Sequence, residues 1–352
     1  MKKPSQEIMI DGRAIGPAHP PYVVAELSAN HNGSLERALD TIVMAKHMGA
    51  DAIKLQTYTP DALTIDSTKE DFQIHGGLWD GYSLHALYQW AHTPYEWHEA
   101  LFKKAREIGI SVFSTPFDEA GIALLEKLDA PAYKVASFEM IDLHLIKAVA
   151  QTKKPMIIST GMANVEEIAE AVSVAKSYGS GELILLHCVS SYPAPFEESH
   201  LRTIADLSER FEVIVGLSDH TLGVTAAIAG VALGASLIEK HVTLSRKDKG
   251  PDAEFSLEPE ELKILCNEVK HAWLALGEKN YELKTTEKPN LKFRRSLYVV
   301  KDITAGEPFT KDNIRSIRPG FGLPPKNLES ILGKKAACAI ERGTPLSWEL
   351  VV

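Results

Sequence analysis

The stretch GLSDHTLGVTAAIAGVALGASLIEKH, residues 216–241, places one histidine, His220, near its start and another, His241, at its end. Between them runs an almost unbroken series of Ala, Val, Gly, Leu and Ile. The flanking VIVGLSD (213–219) and SLIEKH (236–241) read as short β-strands, and TLGVTAAIAGVALGA (221–235) reads as the apolar helix that joins them. A strand, a crossover helix and a parallel strand form one β/α repeat, which returns the chain to the neighbouring strand end. The spacing therefore predicts that His220 and His241 stand side by side on one rim.

The same alternation extends back through the first 245 residues. Strand-like runs recur at YVVAE (22–26), AIKLQ (52–56), ISVFST (110–115), AYKVAS (132–137), PMIIST (155–160) and LILLHC (183–188), which with the two above makes eight. Helical patterns separate them, for example at 35–50, 93–109 and 165–179, mostly ending in Gly or Gly-Ala as a helix stop should. Eight β-then-α units predict a closed (β/α)8 TIM barrel in preference to an open doubly wound sheet. Continuous apolar strands suit parallel pairing buried on both faces.

Residues 57–92 form a long insertion after the second strand, rich in aromatics and histidines (Phe72, His75, Trp79, Tyr82, His85, Tyr88, Trp90), as expected of a segment that covers a site. A barrel domain is expected over 1–276, a polar linker over 277–292, and a turn-rich β module over 293–352. So small a module has a marginal core and is expected to rest on another surface.

At 352 residues and 45% hydrophobic the chain can bury a large core, and its net charge of −9 argues against a nucleic-acid partner. MKKPSQEIMI (1–10) lacks the apolar region of a signal peptide, and no apolar run reaches membrane-spanning length. Cys188, Cys266 and Cys338 are odd in number and widely spaced, which speaks against a disulfide framework or a zinc cluster. A soluble cytoplasmic protein is expected.

Barrel enzymes build their sites at the C-terminal ends of the strands. Those ends carry Glu26, Lys54, Gln56, Ser114, Thr115, Lys134, Ser137, Glu139, Ser159, Thr160, His187, Ser190, Ser218, Asp219, His220, Glu239 and His241. Ser114 and Thr160 read equally well as helix N-caps. Lys54 and Lys134 lie inside apolar strands, where an unpaired ammonium is costly; a bound anion is preferred to an internal salt bridge with Glu26 or Glu139. The paired histidines, with Asp219, Glu239 and Asp252 near in sequence, can hold a divalent cation with open positions, of the Mn²⁺, Mg²⁺ or Co²⁺ type rather than a closed zinc site. The competing reading has both imidazoles satisfied by backbone or carboxylate hydrogen bonds. The residues alone thus point to an enzyme that binds an anion beside a metal able to polarise a carbonyl.

In order along the chain, AELSANHNGS (25–34), IKLQTY (53–58), FSTPFD (113–118), YKVASFE (133–139), IISTGM (157–162), SSYPAP (190–195), GLSDHTLG (216–223), IEKHVTL (238–244), GPDAEFSL (250–257), RRSLYVV (294–300) and RPGFG (318–322) closely resemble the sialic acid synthase family. The resemblance covers practically the whole chain. It implies condensation of phosphoenolpyruvate with an N-acylated amino sugar to give a nonulosonic acid, and a C-terminal antifreeze-like (SAF) domain that reaches over the partner's barrel in a domain-swapped homodimer. It implies His220 and His241 as metal ligands, with Mn²⁺ the expected ion. Lys54 and Lys134 would bind phosphoenolpyruvate with Thr115, Ser137, Ser159 and Ser218, while Glu26 and Glu139 would act near the reacting carbons. Gln56 and Asp252 would contact the sugar, and Arg318 would reach its N-acyl group; His187 receives no role. The insertion GGLWDGYSLHALYQWAHTPYEWHE (76–99) looks most like the pseudaminic-acid-forming branch, whose sugar is 2,4-diacetamido-2,4,6-trideoxy-L-altrose. N-acetylneuraminic and legionaminic acid synthesis are the alternatives within the family. Outside it stand a class II aldolase-like enzyme, which would release no phosphate, and a non-catalytic sugar-binding protein, against which so many functional groups on one rim argue.

Overall fold

The computed structural model describes residues 7–179 and 181–352; residues 1–6, part of the stretch read for a signal peptide, lie outside them. The chain forms two compact units, Met1–Gly277 and Glu278–Val352.

The first unit opens with a hairpin of β1 (Ile8–Ile10) and β2 (Arg13–Ile15), additional to the eight expected strands. Its two-residue turn is Asp11-Gly12, both at positive φ (50° and 77°), the type of turn that matches strand twist and that glycine adopts without cost. Eight parallel strands then close into a barrel: β3 (Tyr22–Glu26), β4 (Ala52–Thr57), β5 (Ser111–Pro116), β6 (Tyr133–Val135), β7 (Met156–Ser159), β8 (Leu183–Cys188), β9 (Ile214–Ser218) and β10 (Leu237–His241), with β10 returning to β3. This is the expected TIM barrel, and each strand falls within a residue or two of its apolar run.

Two cores follow from the alternation of side chains along each strand. Inside the barrel, Val24, Phe113, Ile157, Ile184 and Leu186 pack with the hairpin's Ile8, Ile10 and Ile15. The hairpin touches residues that begin their strands, such as Tyr22, Ala52, Ile214 and Leu237, so it plugs the N-terminal end of the barrel. Outside, the other strand faces pack against a ring of helices that includes α1 (Leu35–Met48), where Ser34 caps the first turn and Gly49 takes the left-handed stop. The helix within the opening stretch is shorter than its apolar run, Thr225–Ala232, because the SDHTLG segment is spent on the turn leaving β9. The 57–92 insertion folds into short helices, Pro60–Leu63 and Leu84–Ala91, joined by irregular chain.

The second unit has its own small core of Leu297, Val299, Ile303, Phe309, Ile314, Ile331, Ala336, Ile340 and Leu346 around the antiparallel pair β11 (Ser296–Val299) and β12 (Ile314–Ile317). Residues 285–293, all but the last expected to be linker, form a 3₁₀ turn within this unit. Among the described residues no helix is long and apolar enough to cross a membrane.

Candidate active site

Parallel register brings the charged strand ends together. Glu26 pairs with Lys54 of β4 on one side and with His241 of β10 on the other, while Ser218 pairs with Glu239. Lys54 Nζ lies 3.3 Å from Glu26 Oε2 and 3.1 Å from Glu239 Oε1, and it donates to Thr115 Oγ1 at 3.4 Å. Lys134 Nζ stands 4.0 Å from Glu239 Oε1 and donates to Ser159 Oγ at 2.6 Å. Ser218 Oγ donates to the same Glu239 oxygen at 3.2 Å. The internal salt bridge ranked second in the sequence is therefore formed, and its central acid is Glu239 rather than Glu139.

The four charged groups are buried. Burial pushes Glu26 up to about 7, because it shares only Lys54 and faces the charge of Glu239. Burial also acts on Glu239, but Lys134 and Lys54 outweigh it and hold that carboxyl below the usual range. Lys54 is raised, its two glutamates overcoming its own desolvation, while burial brings Lys134 down to about 8. Glu239 is thus the fixed anion of the cluster and Glu26 the carboxyl able to carry a proton. Glu139 stands apart from the ion pairs: its Oε2 is buried without a hydrogen-bond partner, and burial pushes it up to about 7.

The ring centroids of His220 and His241 are 5.4 Å apart. His220 Nδ1 donates to Val189 O at 2.9 Å, and in the neutral ring this leaves Nε2 its lone pair. His241 Nδ1 is buried without a hydrogen-bond partner, 4.0 Å from Asp252 Oδ2. Burial and the nearby positive groups hold His241 well below the ordinary imidazole range, so it is neutral, as a metal ligand must be. An orphaned ring nitrogen on one histidine and a backbone-oriented ring on the other suit a divalent cation gripped by two nitrogens. Among the described residues no group of three or more His, Cys, Asp or Glu side chains forms a closed cage. Asp219 is unavailable to a cation, since its carboxylate is occupied by Lys240 at 2.7 Å.

Aromatic rings wall this corner: Tyr192 at 4.5 Å from His220, Phe255 at 5.0 Å from His241, and Trp79 at 5.7 Å from Tyr192. Trp79 Nε1 donates to Pro251 O at 2.9 Å, which ties the 57–92 insertion to the rim. A hydrogen-bonded chain crosses the floor. Gln56 Nε2 donates to Glu26 Oε1 and to Ser28 Oγ, each at 3.0 Å, and Ser28 Oγ donates to Asp252 Oδ2 at 2.5 Å. Ser137 Oγ accepts from Gly161 N at 3.2 Å. A Cβ at Gly161 would stand 2.3 Å from Ser190 Oγ and 2.7 Å from Ser137 Oγ, so only glycine leaves these hydroxyls in place.

Models of two families match the chain: the NeuB family over residues 41–281 and the SAF domain over 294–352. The chain belongs to the NeuB family. Its relatives include the pseudaminic acid synthase of Campylobacter jejuni subsp. jejuni, 48% identical over 92% of this chain and 95% of that protein. The pseudaminic acid synthase of Helicobacter pylori is 45% identical over 93% of this chain and 97% of its own. The N,N'-diacetyllegionaminic acid synthase of Campylobacter jejuni is 37% identical over 89% of this chain and 95% of its own. Among solved structures, the N-acetylneuraminic acid (sialic acid) synthetase of Leptospira borgpetersenii in complex with citrate superposes with a TM-score of 0.73 at 32% identity, covering 82% of this chain and 96% of that one.

In this NeuB-family barrel Glu26, Lys54, Gln56, Thr115, Lys134, Ser159, Ser218, His220, His241 and Asp252 are linked by the contacts above. Glu139 and Ser137 follow β6, and Arg318 is exposed on the separate SAF unit. Ser114 and Thr160 are not caps: Asp118 and Asn164 cap the helices that follow. Ser114 bonds Thr57 at 2.6 Å and Thr160 donates to Leu186 O at 3.2 Å. His187 has its Nε2 2.6 Å from Ser199 O, which gives it a structural place away from the cluster. Sequence reasoning missed Ser28, whose only signal was its position two residues after Glu26, and the anchoring role of Trp79.

Proposed function

We propose that this NeuB-family chain is a pseudaminic acid synthase, joining phosphoenolpyruvate to 2,4-diacetamido-2,4,6-trideoxy-L-altrose and releasing phosphate. One observation carries the reading: two buried lysines, surrounded by hydroxyls, stand beside a pair of histidines with a free ring nitrogen. The identities of 45–48% to pseudaminic acid synthases support this choice of sugar.

Lys54 and Lys134 take the phosphate and carboxylate of phosphoenolpyruvate, with Thr115, Ser137, Ser159 and Ser218 supplying hydroxyl donors. The incoming anion competes with Glu26 and Glu239 for the ammonium groups. Glu26, whose carboxylate is paired with Lys54 alone, yields it most readily, whereas Glu239 keeps Lys134 as a second partner. His220 and His241 hold a divalent cation, Mn²⁺ by expectation, which when bound supplies Lewis acidity toward the sugar's aldehyde oxygen. Gln56 and Asp252 orient the open-chain sugar, and the Trp79, Tyr192 and Phe255 wall excludes water and fits its C6 methyl. As C3 of phosphoenolpyruvate bonds to C1 of the sugar, Glu139 hands a proton from Oε2 to the forming alkoxide. Glu26, as its carboxylate, stabilises the positive charge that develops at C2 and takes a proton from the water that adds there; the C2–O bond to phosphate then breaks as the new hydroxyl becomes the keto oxygen, its proton leaving with phosphate.

We further place the enzyme in the cytoplasm, in keeping with its three free cysteines. We also propose a homodimer in which the SAF unit of one protomer brings Arg318 to the N-acyl group of sugar bound in its partner's barrel. Incubation with phosphoenolpyruvate and a panel of N-acylated amino sugars, reading phosphate and product mass, tests the activity. Turnover is expected to be highest with the 2,4-diacetamido-6-deoxy altrose. Preference for N-acetylmannosamine, or for the legionaminic acid precursor, would overturn the assignment of the sugar.

A further inference from the structure

On the reverse face of the strand ends that carry the histidines lies a buried ion pair with no part in the anion pocket. Lys240 Nζ stands 2.7 Å from Asp219 Oδ2 and donates to Thr221 O at 2.6 Å. Asp219 Oδ1 in turn accepts from Thr221 N at 2.9 Å and Thr221 Oγ1 at 2.8 Å. Each partner is the chain neighbour of a histidine, Asp219 preceding His220 and Lys240 preceding His241. Side chains alternate across a strand, so this pair and the two imidazoles project to opposite faces.

The two histidines are otherwise anchored to different parts of the barrel. His220 is held from the β8 side, through Val189 O at its Nδ1 and through Ala194 N at its carbonyl. His241 is held from the other side, by its register with Glu26 of β3 and by Leu257 N at its carbonyl. Between β9 and β10 the last registered pair is Glu239 with Ser218, followed by one more bond from Asp219 N to Glu239 O. Beyond that level Lys240 reaches from β10 to Asp219 and Thr221 and joins the two strand ends.

We propose that Asp219 and Lys240 are positioning residues, a clamp that sets the separation of His220 and His241 and thereby the chain's affinity for a divalent cation. The proposal rests on the metal reading of this rim given above.

The test is Mn²⁺ binding to substrate-free protein, followed by the electron paramagnetic resonance signal of the free ion. The double variant Asp219→Asn/Lys240→Met removes both charges and leaves neither stranded. It is expected to fold, to keep its KM for phosphoenolpyruvate within about twofold, and to bind Mn²⁺ about 10- to 100-fold more weakly, the usual cost of losing an orienting partner behind a metal ligand. Unchanged Mn²⁺ affinity in the folded double variant overturns the clamp. If the double variant does not fold, Thr221→Val decides: it removes one donor to Asp219 at nearly constant shape, and an unchanged affinity there equally defeats the proposal. The parent protein separates the two ideas. A parent that binds no Mn²⁺ and turns over undisturbed by a chelator ends the metal reading itself, whereas equal binding by parent and variant ends only the clamp.

Discussion

At the scale of single residues, Glu139 offers the sharpest test of the chemistry. The groups that act on its carboxyl are its own backbone N–H and Lys134, which favour the charged form, and Asp142, which opposes it; Tyr88, itself raised by burial and by Glu139, stands within electrostatic reach. Desolvation dominates and lifts the carboxyl to about 7. In the proposed mechanism its protonated form is the proton donor, so activity is expected to fall as pH rises through about 7. Glu139→Gln should lose that alkaline limb and drop kcat by about 10²- to 10⁴-fold, the ordinary range for a general acid. Linkage gives a second readout with a definite sign. The folded state keeps a proton that the unfolded chain releases above the ordinary glutamate value of 4.5, so this group's contribution to stability is lost as pH rises from there to about 7. Gln carries no such loss, and the melting temperature of the variant relative to the parent should rise across that window. An alkaline limb that still turns near 7 in Glu139→Gln would remove this residue from proton transfer, whereas one that moves up toward 8 is the loss of the Lys134 charge.

At the scale of elements, what could be read from the chain was what periodicity controls. The eight barrel strands are unbroken apolar runs, and their order alone places Glu26 next to Lys54 and His241. Less legible were features set by reach across the barrel or by single dihedral angles. Glu239 as the shared counter-ion of Lys54 and Lys134 depends on three side chains meeting in the interior, which no local pattern encodes. Ser28 enters the site from a left-handed conformation, φ 46°, that its neighbours do not announce. The plug hairpin was missed because its strands are only three residues long, although Asp11-Gly12 between IMI and RAI was a turn signal in plain view. Ile10, fully buried in the barrel interior, ties that hairpin down. Ile10→Ala is expected to cost about 2–4 kcal/mol in denaturant unfolding, as large-to-small core changes do. The KM values should not move, since the hairpin sits at the end of the barrel opposite the rim. A loss under about 1 kcal/mol would mean that the hairpin is not part of the core.

At the scale of the whole molecule, the SAF unit poses the remaining question, because Arg318 is exposed on it while the other proposed sugar contacts, Gln56 and Asp252, belong to the barrel unit. A core as small as that of this unit gains from docking on a larger surface. If the docking is exchanged between protomers, a complete site needs His241 from one chain and Arg318 from the other, and two separately defective proteins can complement each other. His241→Ala and Arg318→Ala are each expected to turn over poorly, the second through a raised KM for sugar with little change for phosphoenolpyruvate. Unfolding and refolding an equal mixture gives hybrid dimers in half of all cases. Each hybrid has one barrel with both histidines facing an intact Arg318, so about a quarter of the parent activity should return. With docking inside one protomer every site would carry one of the two lesions, whatever the mixture. Recovery no greater than the sum of the two variants would therefore overturn the exchange, and a chain that elutes as a monomer under assay conditions would do so more directly.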